Sequence, residues 1–392
     1  MRNLDLERLR AVAIIFVLFS HLWLVFPWNS GPPVGLYAYL NFWTGVDLFF
    51  VISGFIVTKT LLANLDHSNT RSKALSAIKS FFIRRIFRII PLAWLWVVVT
   101  LALSLILNQN NAFPAPKLIG KEFIAIALNV YNLADAFGSN LLNPNGYQRF
   151  SPYWSLSIEE QFYIFIPFLM LSIKSRGNRI AFLIGALFFI ILVFRPALLI
   201  AGMDINFFLK FTFARMDTLV CGCLLYFIES GPAHKSIEPV FLRSRTLAMM
   251  TFAGLCLAVA ITPTLLGPNL EPARYVIVWP FLDLATALLV FIATYNRDYF
   301  FVSPNVEPII QWFASRSYAI YLSHWPSIWI THDAGLRIAG IFNLSVGPNL
   351  AALYIGMFIL FTLSLAEISH RLVEGPMIRK GHLISRSINV RG

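Results

Sequence analysis

"RLRAVAIIFVLFSH", residues 8–21, is an apolar helical stretch with Arg10 near its start and His21 at its end. Ionisable groups are costly to bury in lipid, so those found in membrane segments usually face protein or water and often carry function. Arg10 and His21 stand eleven residues apart. At about 100° and 1.5 Å per residue they return to nearly one face, roughly 16 Å apart along the axis. That is about half a hydrocarbon core. Two readings of the pair stand at this point. One is a snorkelling arginine with a histidine bonded to a neighbouring helix; the other is a polar pair serving a site inside a helical bundle.

The composition puts this helix in a membrane. The 392 residues are 58% hydrophobic and 13% charged, with mean hydropathy +0.70; a soluble domain carries about 25% charged residues. Arg2, Arg8 and Arg10 ahead of an apolar run resemble a signal peptide, but no small-residue cleavage site follows and further spans do, so the helix reads as retained. Three cysteines, two of them in "CGC" at 221–223 within an apolar run, suggest neither a disulfide framework nor a zinc site, and no other metal site is expected. The net charge of +12 lies in short loops, which argues against a nucleic-acid partner.

Ten spans follow from hydropathy: 11–27, 36–62, 89–107, 154–173, 180–200, 208–229, 246–266, 275–295, 312–332 and 350–372. With the N-terminus inside, the cytoplasmic loops hold 22 of the 31 Lys and Arg and the outer loops 5. The asymmetry predicts both termini in the cytoplasm. Residues 119–137, "IGKEFIAIALNVYNLADAF", are moderately apolar, but a full span there would put the basic loop "KSRGNR" (174–179) outside. They read instead as a re-entrant or interfacial helix in the longest outer loop. The expected fold is an all-α polytopic membrane protein of about ten transmembrane helices in the cell (inner) membrane. Residues 1–376 form one transmembrane domain, and 377–392 a short basic cytoplasmic tail suited to anionic lipid headgroups.

Polar residues recur inside the spans. "GVDLFFVISGF" (45–55) buries Asp47, which needs a partner; His21 on the preceding helix is one, since a carboxylate orients an imidazole and stabilises its protonated form. A structural aspartate at a helix terminus is the other reading. "FFIRRIFRIIP" (81–91) sets Arg84 and Arg88 on one helix face with Arg85 beside them. Arginine suits phosphate, though the positive-inside rule alone also places arginines there. "SPYWSLSIEEQFYIFIP" (151–167) carries Glu159 and Glu160, with Ser155 one turn before Glu159. Tyr153, Trp154, Phe162 and Tyr163 suit stacking on a sugar or an interfacial belt. One glutamate, its pKa raised by crowding, would serve as proton acceptor or donor. In "FTFARMDTLVCGCLLY" (211–226), Arg215 and Asp217 are candidates to pair with Arg195 and Asp283. "SYAIYLSHWP" (317–326) holds His324 before Pro326, as a second site residue or a packing histidine. Glu374 in "HRLVEGP" (370–376) reads as counter-ion to the cytoplasmic arginines.

In this order, "LDLERLRAVAIIFVLFSH", "GVDLFFVISGF", "RRIFRIIP", "YWSLSIEEQFY", "SYAIYLSHWP" and "VEGP" resemble the motifs of acyltransferase family 3, the integral-membrane O-acyltransferases. Each motif is weak alone, and the ordered set, from Leu4 to Pro376, is specific. The resemblance implies transfer of an acyl group, most simply acetyl, from acyl-CoA to a hydroxyl of a surface glycan such as exopolysaccharide or lipopolysaccharide. It places Arg10 and His21 at the reaction centre, Arg84, Arg85 and Arg88 on the acyl-CoA, and the Glu159 region at the centre or the acceptor. Acyl-CoA is then a donor substrate and no cofactor is tightly bound. Expected partners are membrane lipid, a glycan or lipid-linked sugar, and polysaccharide-assembly proteins. Some members carry a fused hydrolase-like domain, which these residues do not include, so any handover to one would occur in trans. The competing class is a proton-coupled transporter or lipid-linked glycan flippase, which buried acids and histidines also suit.

Overall fold

The computed structural model describes residues 3–28, 42–66, 68, 70–137, 150–266 and 271–391, and in these every regular element is helical. In chain order the helices are α1 (Leu4–His21), α2 (Gly45–Leu65), α3 (Arg71–Leu107), α4 (Pro116–Ala127), α5 (Tyr131–Phe137), α6 (Tyr153–Ser172) and α7 (Arg176–Phe189). Then come α8 (Arg195–Ile200), α9 (Ile205–Lys210), α10 (Thr212–Glu229), α11 (Arg245–Ile261), α12 (Pro272–Thr294), α13 (Glu307–Ile341), α14 (Ala351–Ser369) and α15 (Gly375–Arg391).

Among the described residues, eight helical segments are long and apolar enough to cross a membrane, and they coincide with eight of the ten expected spans. The remaining two, 154–173 and 312–332, fall on α6 and α13, helices of 20 and 35 residues. Their acids, histidines and hydroxyls lower the hydropathy on which spans are recognised. Outward-facing Leu192, Ile277, Phe281 and Leu360 are more than half exposed, as expected of side chains that meet lipid. This is a multi-pass membrane protein. Residues 36–41 of the second expected span lie outside the described residues. The segment 119–137 is not one helix but two, α4 and α5, broken at Asn129, whose φ of 55° is left-handed. At about 1.5 Å per residue neither can cross a core of about 30 Å.

The chain divides into two compact units, residues 1–17, 35–69 and 158–315 in the first, and 18–34, 70–157 and 316–392 in the second. In the first unit α2 and α10 cross at glycines. A Cβ on Gly54 would fall 2.1 Å from the Leu219 carbonyl oxygen, and one on Gly222 would fall 2.2 Å from that of Val51. Small residues let membrane helices approach to backbone contact, where dispersion and packing replace the hydrophobic effect. Helix α12 packs on both. At one end of this unit Arg8 gathers Asp5 (3.1 Å), Glu307 (2.9 Å) and Asp298.

In the second unit Tyr354, Phe358, Val25, Trp325 and Ile328 form an apolar cluster. Pro91 lies within the 37-residue α3, and two phenols bond carbonyls on either side of it: Tyr318 to Ile89 (2.8 Å) and Tyr153 to Ala93 (2.7 Å). Helix α14 runs through a π-helical turn, His370–Glu374, into α15. Residues 375–391 are thus helical, and they dock on α3: Ser80 Oγ donates to the Ser385 carbonyl at 3.1 Å.

Candidate functional site

In the second unit the last residue of α1 meets the middle of α13. The rings of His21 and His324 lie 5.1 Å apart between centroids, and Trp325 meets His21 edge-on at 5.2 Å. His21 Nδ1 is 3.1 Å from Ser20 Oγ. His324 is fully buried; its Nδ1 is 3.3 Å from the Ile320 carbonyl, and its Nε2 has no hydrogen-bond partner among the described residues. Tyr321, one turn back on α13, has its ring 5.9 Å from that of His324, and its hydroxyl is 2.5 Å from Ser155 Oγ and donates to Pro152 O at 3.1 Å. Residues 300 positions apart in sequence therefore build one polar cluster in an apolar surround. Two imidazoles this close cannot both be cationic without strong repulsion, so a proton gained by one leaves the other neutral. The buried unpartnered nitrogen is a vacant hydrogen-bonding position, and such positions are costly unless something uses them.

Polar residues of the first unit form two separate arrangements. Asp47 lies 2.6 Å from the Arg215 guanidinium, both fully buried. A carboxylate held this closely by a guanidinium has a counter-ion within its own unit. Arg195 pairs with Asp217 at 2.5 Å and approaches Asp283 at 4.0 Å, and Thr218 donates to Asp283 at 2.8 Å. Arg215 also lies 4.7 Å from the centre of the Trp279 ring and donates to Tyr275 Oη at 3.2 Å. Arg195, Asp217 and Asp283 thus meet as expected, and Asp47 joins them through Arg215. In the second arrangement Tyr163 donates to Glu159 at 2.5 Å and is bonded to Ser53, a chain of hydroxyls ending on a carboxylate. Glu160 is half-buried on the same helix. Arg10 pairs with Glu7 one turn before it, at 3.3 Å.

Other expected site residues sit differently. Tyr153 is buried with its hydroxyl spent on Ala93, so it packs α6 onto α3 and does not present a face to a sugar. Trp154 beside it is half-buried. Glu374 bonds His370 Nδ1 at 2.8 Å and is not the counter-ion of the arginines on α3; i, i+4 spacing within one helical turn favours the nearer partner. Arg84, Arg85 and Arg88 are half-buried on α3. Arg84 reaches Ser385 Oγ at 3.4 Å, and Arg85 lies 5.8 Å from the centre of the Phe81 ring.

The family model of the acyltransferase 3 type, described as an acyltransferase domain, matches residues 3–368. The chain belongs to that family. The chain is 28% identical over 389 residues to the peptidoglycan O-acetyltransferase OatA of Listeria monocytogenes, covering 97% of this chain and 56% of that protein. It is 27% identical over 394 residues to the O-acetyltransferase OatA of Staphylococcus aureus, covering 96% and 57%. It spans little more than half the length of these relatives. No solved structure matches it.

Within this acyltransferase 3 chain sequence reasoning misses Tyr321 and the hydrogen-bonded roles of the Tyr163 and Ser53 hydroxyls. Tyr163 stands four residues after Glu159, a spacing that brings side chains together on a helix, and that signal was legible. Ser53 and Tyr163 are 110 positions apart, and no local pattern joins them.

Proposed function

We propose that this chain is a membrane O-acyltransferase that moves an acyl group, most simply acetyl, from acyl-CoA to a hydroxyl of a surface or exported glycan. The observation that carries the reading is the contact of half-buried His21 with fully buried His324, whose Nε2 is unpartnered, in a chain of the acyltransferase 3 family. One imidazole, His21 on this reading, takes the proton of the acceptor hydroxyl as its oxygen attacks the thioester carbonyl. The tetrahedral intermediate then collapses, and the departing CoA thiolate takes that proton back. His324 stays neutral and orients its neighbour or a bound hydroxyl. A positioned base of this kind contributes roughly 10²–10⁴-fold, and positioning of donor and acceptor supplies the rest. Arg84, Arg85 and Arg88 hold the donor phosphates on the cytoplasmic side, as the loop charges orient the chain. The Glu159–Tyr163–Ser53 chain suits the acceptor side. The name of the Listeria relative makes peptidoglycan fragments the first acceptors to try.

The test uses the full chain in nanodiscs with radiolabelled acetyl-CoA and glycan acceptors. Free thiol should appear only when an acceptor is present, and His21→Ala should abolish it while the protein still elutes as a single folded species. Proton-coupled uptake of a sugar into vesicles without thiol release would replace this reading with the transporter.

A further inference from the structure

Two connections of the first unit meet beside the start of α11: residues 230–244, which follow α10, and 295–306, which follow α12. Together they line a cavity of about 520 Å³ whose walls include Arg243, Arg245 and Arg297. Two of these guanidiniums are held in place. That of Arg245 lies 3.2 Å from the centre of the Phe301 ring, and stacking on an aromatic face fixes its plane while leaving the edge N–H groups free to bond. Arg297 Nε is 3.4 Å from Glu238, whose position is set by a 2.7 Å hydrogen bond from buried Tyr299. Arg297 also stands between Asn296 and Asp298, both left-handed with φ of 50° and 62°, a turn that Asn and Asp tolerate better than most residues. The acids of the lining are committed: Asp298 to Arg8, which also binds Asp5 and Glu307, and Glu238 to Tyr299 and Arg297. Among the described residues neither Arg243 nor Arg245 forms an ion pair. The surface beside them is apolar. Val240 and Phe241, just before Arg243, are 64% and 55% exposed, and Met250, five residues along α11 from Arg245, is 65% exposed. Since α11 is one of the helices able to cross a membrane, the guanidiniums stand where its apolar surface begins.

We propose that this cavity binds the phosphate headgroup of an anionic lipid, with Arg243, Arg245 and Arg297 on the phosphate and an acyl chain lying along Phe241 and the outward face of α11. Guanidiniums bind phosphate oxygens bidentately, and basic pockets at the ends of membrane helices take anionic headgroups. The volume falls within the range of about 300–1,000 Å³ usual for small-ligand sites. A soluble phosphate ester offers the arginines the same oxygens but makes no use of the exposed apolar side chains beside them, so the lipid is the occupant that both features fit. The proposal is independent of the transfer reaction, since none of these residues belongs to the imidazole cluster or to the arginines of α3.

The experiment reads binding without turnover, on the full chain in neutral detergent. Retained phosphatidylglycerol and phosphatidylcholine are counted by native mass spectrometry, and inorganic phosphate is titrated by calorimetry. The variants are Arg243→Gln, Arg245→Gln and Phe301→Leu. Lys235→Gln is the control, removing an exposed charge from the same connection outside the cavity, and thermal midpoints confirm folding. Phosphatidylglycerol should be retained in preference to phosphatidylcholine. Loss of either arginine should weaken its binding about tenfold or more, with Lys235→Gln unchanged. Phe301→Leu alters no charge and should still weaken it, because the Arg245 fork loses the ring that orients it. A loss of inorganic phosphate binding in these variants, with phosphatidylglycerol retention unchanged, would overturn the lipid as the ligand and give the arginines to a soluble phosphate. An equal loss in Lys235→Gln would reduce the effect to diffuse attraction and overturn the site. Equal retention of the two lipids by the unaltered chain, or no loss in any variant, would overturn it as well.

Discussion

Replacing Arg215 by glutamine tests the buried charge network of the first unit most directly. Five groups meet there, Asp47, Asp217 and Asp283 against Arg195 and Arg215, so with all ionised the network carries one excess negative charge. Arg215→Gln leaves three carboxylates facing one guanidinium, all fully or nearly fully buried. Removing one partner of a buried pair costs about 3–5 kcal/mol, because the other charge is left uncompensated. Asp47→Asn removes the same contact but leaves two carboxylates with two guanidiniums, so its cost should fall clearly below that range. The double variant Asp47→Asn with Arg215→Gln restores the original excess of one and should recover most of the loss. Thermal midpoints and monodisperse yield in detergent, measured for the three variants together, give the order. If Arg215→Gln proves no worse than Asp47→Asn, or the double variant no better than Arg215→Gln, charge balance is not what holds this network.

Three further outcomes follow from particular contacts. Gly222→Leu should prevent α10 from seating on α2, since even a Cβ there meets Val51 O at 2.2 Å. Gly254→Ala on α11 has open space around it and should be neutral or stabilising by up to about 1 kcal/mol; yields by size-exclusion chromatography separate the two. His324→Phe should keep or raise the thermal midpoint, because it removes a buried unpartnered nitrogen. It should also lower acyl transfer by roughly 10²–10⁴-fold, and retained turnover would remove the imidazole pair from the mechanism. In the loop region of the first unit, the hydrogen bond from Tyr299 (2.7 Å) is the main cause holding the Glu238 carboxylate below its ordinary value of 4.5. The stability it adds is complete above that value and is lost as pH falls through the lowered one. Tyr299→Phe should therefore narrow the difference in thermal midpoint between neutral and acidic pH; an unchanged difference would show that Arg297, 3.4 Å away, suffices alone.

Much of the membrane architecture is legible in one dimension. A hydrocarbon core demands about 20 apolar residues per span and satisfies backbone groups only within a helix, so span positions follow from local hydropathy. Two expected spans, on α6 and α13, illustrate where that signal thins, since their polar residues dilute it. The break of 119–137 at Asn129 depends on one left-handed residue in an otherwise helical pattern, and it was not read. The site divides in the same way. Arg10, His21, Glu159 and His324 stand out because charge and imidazole are conspicuous among apolar residues. Their partners do not: Asp47 could have served any neighbouring cation, and only packing gives it Arg215.

By itself, then, the chain's order of residues determined that it is a multi-pass helical membrane protein and which polar groups it hides among apolar ones. Membrane insertion is a local transfer of each segment from water to lipid, and each segment carries its own answer. Which hidden groups meet was decided by tertiary structure alone: His21 with His324, Asp47 with Arg215, and a basic C-terminal segment against the arginines of α3. Those pairings depend on helix rotation and on where glycines allow close approach, and residues hundreds of positions apart share no local pattern that records it.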